Sequence, residues 1–124
     1  MTRPLERLLQ GPAVAVTADS LEAFLGAAGP ALLLFTGDPA QRPEAQDVAV
    51  VARELAGQLH GLRIGIVEGD GPSPIKLRFG VLAVPTVVFL DGGVVRSTLA
   101  RLQDWSVYAR AARQAFGQRK EVSP

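Results

Sequence analysis

The stretch Val84-Pro85-Thr86-Val87-Val88-Phe89-Leu90-Asp91-Gly92-Gly93 decides the fold. A proline at the entrance of a strand is tolerated because the missing N–H falls where the ladder has not begun. The β-branched and aromatic residues that follow favour a strand. Gly92-Gly93 then supplies the positive φ of a tight hairpin turn, and Val94 to Leu99 reads as the returning strand.

Working outward, the rest of the chain alternates helix and strand signals. Pro4 to Gln10 reads as a short helix closed by Gly11-Pro12, and Ala13 to Thr17 as a short strand. Asp19 with Glu22 three residues on predicts a helix N-terminus, with Leu21, Phe24, Leu25 and Ala28 as the apolar face and Gly29-Pro30 as the stop. Ala31 to Phe35 is continuously apolar, as in a strand covered on both faces. After the polar loop at 36–43, Val48, Val51, Ala52, Leu55 and Leu59 mark an amphipathic helix from Glu44 to Leu59. Leu62 to Val67 gives another strand. Ser73-Pro74 opens a short helix that ends at Gly80. Asp104 is the predicted cap of a last helix with Trp105, Tyr108, Ala112, Ala115 and Phe116 facing inward, and the periodicity fades from 117, so 118–124 is predicted to fray.

The order α-β-α-β-α-β-α-β-β-α predicts one α/β domain over 1–124, with a mixed central sheet flanked by helices and a core at 13–117. The composition fits a globular domain: 124 residues, 48% hydrophobic and 20% charged, with a net charge of +1. That charge argues against nucleic acid as a partner, and no apolar run is long enough for membrane insertion. The charge is unevenly spread, net −3 over residues 1–91 and net +4 over 92–124. Met1 to Gln10 lacks the pattern of a secretory signal, and a cytoplasmic location is expected.

The order resembles the thioredoxin-like fold. That resemblance implies a cis-proline at Pro85 and places the usual CxxC near Arg42-Pro43-Glu44-Ala45. This chain has no cysteine. Disulfide exchange requires a thiolate and is therefore excluded. Gln41 stands near the usual tryptophan, Leu34 replaces the buried acid, and Val50 replaces the kinking proline. Asp38-Pro39, Arg42-Pro43-Glu44 and Asp47-Val48, with Gly80 and Val84-Pro85, are similar to the cysteine-free HyaE/HupG family of hydrogenase expression/formation proteins. The resemblance implies a non-enzymatic chaperone in NiFe-hydrogenase maturation. It would bind the small-subunit precursor, with its twin-arginine signal peptide, before export, and other hydrogenase accessory proteins are further candidate partners. A generic peptide-binding or structural adaptor on a redox-inactive scaffold is the alternative.

The candidate peptide-binding residues are Asp38, Arg42, Glu44, Asp47, Val84 and Pro85. Two readings of the acids stand side by side. They attract an arginine-bearing peptide, or Glu44 and Asp47 favour a helix N-terminus while Asp38-Pro39 sets a turn. A further alternative, a thiol-independent enzyme with its substrate beside Pro85, finds no ordered nucleophile and base among these residues. His60 stands alone and reads as structural, with no metal or cofactor site and no catalytic residue implied. Gly69-Asp70-Gly71 lacks the Lys-Ser/Thr of a phosphate loop. Arg110, Arg113, Arg119 and Lys120 fit either a solvated helix face or a surface for an acidic partner. In an insulin-reduction assay, with or without thioredoxin reductase, the protein is expected to give no turnover above buffer. Turnover from protein free of contaminating oxidoreductase overturns the non-redox reading.

Overall fold

The computed structural model describes residues 3–122. Its elements are α1 (Pro4–Gln10), β1 (Ala13–Ala15), α2 (Leu21–Gly26), β2 (Pro30–Gly37), α3 (Glu44–Gln58), β3 (Arg63–Glu68), α4 (Pro74–Phe79), β4 (Thr86–Asp91), β5 (Val94–Ala100) and α5 (Trp105–Val122). The sheet order is β1-β3-β2-β4-β5. β3 runs parallel to β1 and β2, whereas β4 is antiparallel to β2 and β5. This is a thioredoxin-like α/β arrangement, parallel on one side of β2 and a hairpin on the other.

β2 is buried along its whole length. Its side chains alternate between faces, and the core divides accordingly. Leu32 and Leu34 join Val48, Phe89, Tyr108 and Phe116 on the face covered by α1, α3 and α5. Leu33 and Phe35 join Phe24, Ile75, Val81 and Val88 on the face of α2 and α4. Gly65 of β3 lets α2 approach, because a Cβ there would lie 2.7 Å from Val16 Cγ2 and 3.0 Å from Phe24 Cζ. Across that contact Arg63 donates to the carbonyls of Phe24 (2.6 Å) and Ala27 (3.0 Å) and stacks over the Phe24 ring. The guanidinium thereby bonds carbonyls that the end of α2 leaves free.

The local signals translate into caps where loop geometry allows. Ser73 accepts from the Lys76 N–H, and Pro74 fills the first helical position of α4. Gly80 closes that helix at φ 65°, its N–H reaching Leu77 O while Val81 N–H reaches Lys76 O, a Schellman pair.

Several boundaries differ from the sequence reading. Ser20, not Asp19, stands at the N-cap of α2, and its hydroxyl is drawn to the Thr17 N–H instead of capping the helix. Ala28 is exposed because α2 stops at Gly26. β1 ends at Ala15, although Val16 still donates to Ile66 O. Trp105 is 40% exposed, and the buried line of α5 starts one turn later at Tyr108 and includes Ala111. The backbone of α5 stays helical to Val122; Ser123 and Pro124 of the tail predicted to fray lie outside the described residues.

Leu34 is fully buried at the centre of the sheet. Leu34→Ala is expected to cost about 2.7–5 kcal/mol from lost burial and the cavity left behind. Leu34→Asp, which restores an acid at this place, is expected to cost more, because its neighbours offer a carboxylate no partner. Urea denaturation measures both; an Asp variant as stable as the native protein contradicts a wholly apolar strand centre.

Candidate functional site

The loop between β2 and α3 is pinned by one carboxylate. Asp70 Oδ1 accepts from the Asp38 backbone N–H at 2.9 Å and from Arg42 Nε at 2.8 Å. Asp38 turns the chain around this anchor. Its carboxylate accepts from Ala40 N–H, and its carbonyl accepts from the N–H groups of Gln41 and Arg42. Gly37, at φ 69°, admits the arrangement because a Cβ would come within 2.7 Å of both Arg42 Cδ and Asp70 Oδ1. The Arg42 hydrogen bond, then the Asp38 N–H, hold the Asp70 carboxyl below its usual pKa, and the Asp70 carboxylate in turn raises that of Arg42.

Lys76 shapes the other side of the loop. It is buried, and its Nζ donates to Gly69 O and Gly71 O, both at 2.6 Å. Arg78, on the same helix, pairs instead with Glu22 of α2.

Between this loop, α4 and the segment entering β4 lies a groove of about 540 Å³. Arg42 and Asp70 stand on one wall, Leu77, Leu82 and Val84 on another, and Arg101 closes it. Leu77 is 85% and Leu82 99% exposed, an unusual pair of bare leucines beside one cavity. The Val84–Pro85 bond is cis. Neither the N–H nor the C=O of Val84 has a hydrogen-bond partner among the described residues. Pro85 is buried, and its carbonyl accepts from Arg101 N–H at 2.7 Å.

Of the six candidate residues, the structure brings Arg42 and Val84 together on the groove wall. Pro85 is buried and does not line the groove. Asp38 and Glu44 stand near enough to Arg42 for their charges to act on it. Glu44 and Asp47 are exposed and three residues apart on the first turns of α3, on one helix face. Neither carboxylate makes a hydrogen bond or ion pair among the described residues. Sequence reasoning missed Asp70, Lys76, Leu77, Leu82 and Arg101. For Leu82 a signal was present: Val81-Leu82-Ala83-Val84 is an apolar run between a helix stop and a strand start, too short to be an element of its own.

Among the described residues no group of three or more His, Cys, Asp or Glu side chains stands together to hold a metal ion. None of the helices there is long and apolar enough to cross a membrane.

The chain is thus a cysteine-free, thioredoxin-like α/β domain with an ion-paired turn between β2 and α3. Residues 5–108 match the family model described as hydrogenase-1 expression protein HyaE. The chain is 43% identical over 98 residues to the hydrogenase expression/formation protein HupG of Bradyrhizobium diazoefficiens, covering 75% of this chain and 66% of the relative. It is 38% identical over 116 residues to the hydrogenase expression/formation protein HoxO of Cupriavidus necator, covering 90% and 72%. It is 44% identical over 94 residues to HupG of Rhizobium leguminosarum, covering 72% and 63%. The chain therefore belongs to the HyaE family of hydrogenase expression/formation proteins, and it spans about two thirds of the length of these relatives.

The folded pKa of Asp70 lies below its unfolded value, so the stability it lends is present above the ordinary carboxylate range and is lost as pH falls through the depressed value. Asp70→Ala is therefore expected to be less stable than the native protein at pH 7 and to converge with it in strong acid. Hydrogen exchange at the Asp38 amide is expected to quicken in the variant at neutral pH. An unchanged Asp38 amide at pH 7 rules out Asp70 as the anchor of this loop.

Proposed function

We propose that the protein is a non-enzymatic chaperone of hydrogenase maturation that holds the small-subunit precursor in the cytoplasm and engages its twin-arginine signal peptide in the groove beside Pro85. The observation that carries this reading is the unpaired backbone of Val84 beside two exposed leucines. An extended segment can pair with a free main-chain N–H and C=O while its apolar side chains cover leucines, which is the physics of strand addition. Membership of a hydrogenase expression/formation family supplies the biological setting.

Asp38, Glu44 and Asp47 would meet the arginine pair at the edge of the groove. Each exposed pair contributes only about 0.2–1 kcal/mol. Affinity must then come from covering Leu77 and Leu82, at roughly 25 cal/mol per Å² of apolar surface removed from water, with the charges setting direction and salt dependence. Arg42 takes no direct part in this reading, since its Nε is already committed to Asp70. Its task is to hold the loop that carries the acids.

Calorimetry with the precursor's signal peptide at low and moderate salt tests this. Replacing Asp38 by Asn, Glu44 by Gln and Asp47 by Asn together is expected to weaken binding by about fivefold or more and to flatten its salt dependence. Asn at 38 retains an acceptor for the Ala40 N–H, so the turn survives. Thermal stability is expected to change little. Unchanged affinity and salt slope in the triple variant rule out the acids as readers of the arginines. Failure of the native protein to retain the signal-bearing precursor removes the client assignment and leaves the generic adaptor.

A further inference from the structure

The acids lie outside the groove, and the groove itself carries the opposite charge. Arg42, Lys76 and Arg101 line it against the single carboxylate of Asp70. Two of the three cations are committed: Arg42 to Asp70, and Lys76 to the carbonyls of Gly69 and Gly71. The guanidinium of Arg101 has no hydrogen bond or ion pair among the described residues.

Arg101 is also where the backbone is forced. At φ 64° it is the one non-glycine residue in the left-handed region among the described residues. A side chain there is strained, and such a residue persists only when its surroundings over-determine it. The surroundings are on view. The Arg101 N–H donates to Pro85 O at 2.7 Å, and its carbonyl accepts from the Tyr108 hydroxyl at 3.1 Å. Tyr108 is itself fully buried and also accepts from the Gln103 N–H. Glycine would serve this turn without strain. The chain instead places there a long cation, fastened through its backbone to Pro85, next in chain to the groove residue Val84, and to the core.

We propose that Arg101 is a carboxylate anchor, and that the groove takes an extended apolar peptide with an acidic residue toward the Arg101 end. This rests on the reading of the groove as a peptide site and adds a second, opposite charge to what it recognises. A guanidinium is suited to a carboxylate because its planar fork donates two parallel bonds. The acids at 38, 44 and 47, outside the groove, and the cation at 101, on its lining, then offer opposite charges to one segment. A segment with arginines at one end and a carboxylate at the other fits in one direction only.

The probes are two synthetic peptides, each with an Arg-Arg pair, a Leu/Val/Ala core, and either Glu or Gln near the far end. Their dissociation constants are measured by fluorescence anisotropy against the full chain and against Arg101→Gln and Arg101→Gly. On the native protein the Glu peptide is expected to bind about threefold to fivefold tighter than the Gln peptide. That gap is expected to vanish in both variants, and Arg101→Gly is expected to melt no lower than the native protein because the strain is relieved. Equal affinity of the two peptides for the native protein, or a gap that survives both substitutions, overturns the anchor while leaving the peptide groove standing. Binding of neither peptide overturns the groove and the anchor together.

Discussion

Everything in this molecule is hung on β2, a strand buried on both faces along its whole length. A strand in that position is a strong constraint, because a slip of one residue would exchange the side chains meant for one helical layer with those meant for the other. Leu32 and Leu34 must meet α3 and α5, and Leu33 and Phe35 must meet α2 and α4. Parallel pairing to β3 and antiparallel pairing to β4 hold that register from both sides. The end of β2 therefore arrives at a fixed place, and Gly37 delivers the polar loop there. The groove follows from this: β2 fixes the Arg42–Asp70 wall, and β4 fixes Val84 and Pro85.

The same constraint explains what the missing chemistry left behind. In a thiol-bearing relative of this fold, the loop after β2 would be organised around sulfur. Here an arginine and an aspartate do that task. The pair is half exposed, so its worth lies less in stability than in geometry. Asp70 binds a backbone N–H and a guanidinium from the same loop, which fixes two points of it at once. Leu34, where a buried acid would have tuned a thiol, is simply core.

The elements were legible because their signals are local. Proline and glycine punctuate the chain at Pro74, Gly80, Pro85 and Gly92-Gly93, and the spacing of Val48, Ala52 and Leu55 repeats as a helix requires. The errors have local causes too. Ser20, not Asp19, stands at the cap of α2, with its hydroxyl accepting from Thr17 N–H and not from the helix, and propensity does not rank two adjacent capping residues. Trp105 has the spacing of a core residue but sits a turn before the helix reaches the sheet. The groove was the less legible part. Arg42, Asp70, Leu77 and Arg101 are far apart in sequence and lie on four different segments. Nothing in a one-dimensional pattern says that the Asp70 carboxylate would meet Arg42. The apolar run at 81–84 was visible, yet only the fold shows that Leu82 turns outward while Val81 turns in.

The uneven charge of the chain acquires a meaning once it is folded. Read as a sequence, an acidic body and a basic C-terminal segment look like two solvated surfaces. In the fold, the hairpin brings Arg101, near the start of the basic segment, back against the acidic half, across the groove from Arg42 and Asp70. The return is enforced by Pro85 accepting from the Arg101 backbone and by Tyr108 holding the carbonyl. Burial raises the Tyr108 pKa, so the hydroxyl keeps its proton, and with it the tie to Arg101, to a higher pH than an ordinary phenol would. Locking the backbone fixes the point from which the side chain extends, while the exposed guanidinium keeps its own rotamer freedom. The turn at 101 is thereby tied at once to the residue that opens β4 and to the buried face of α5.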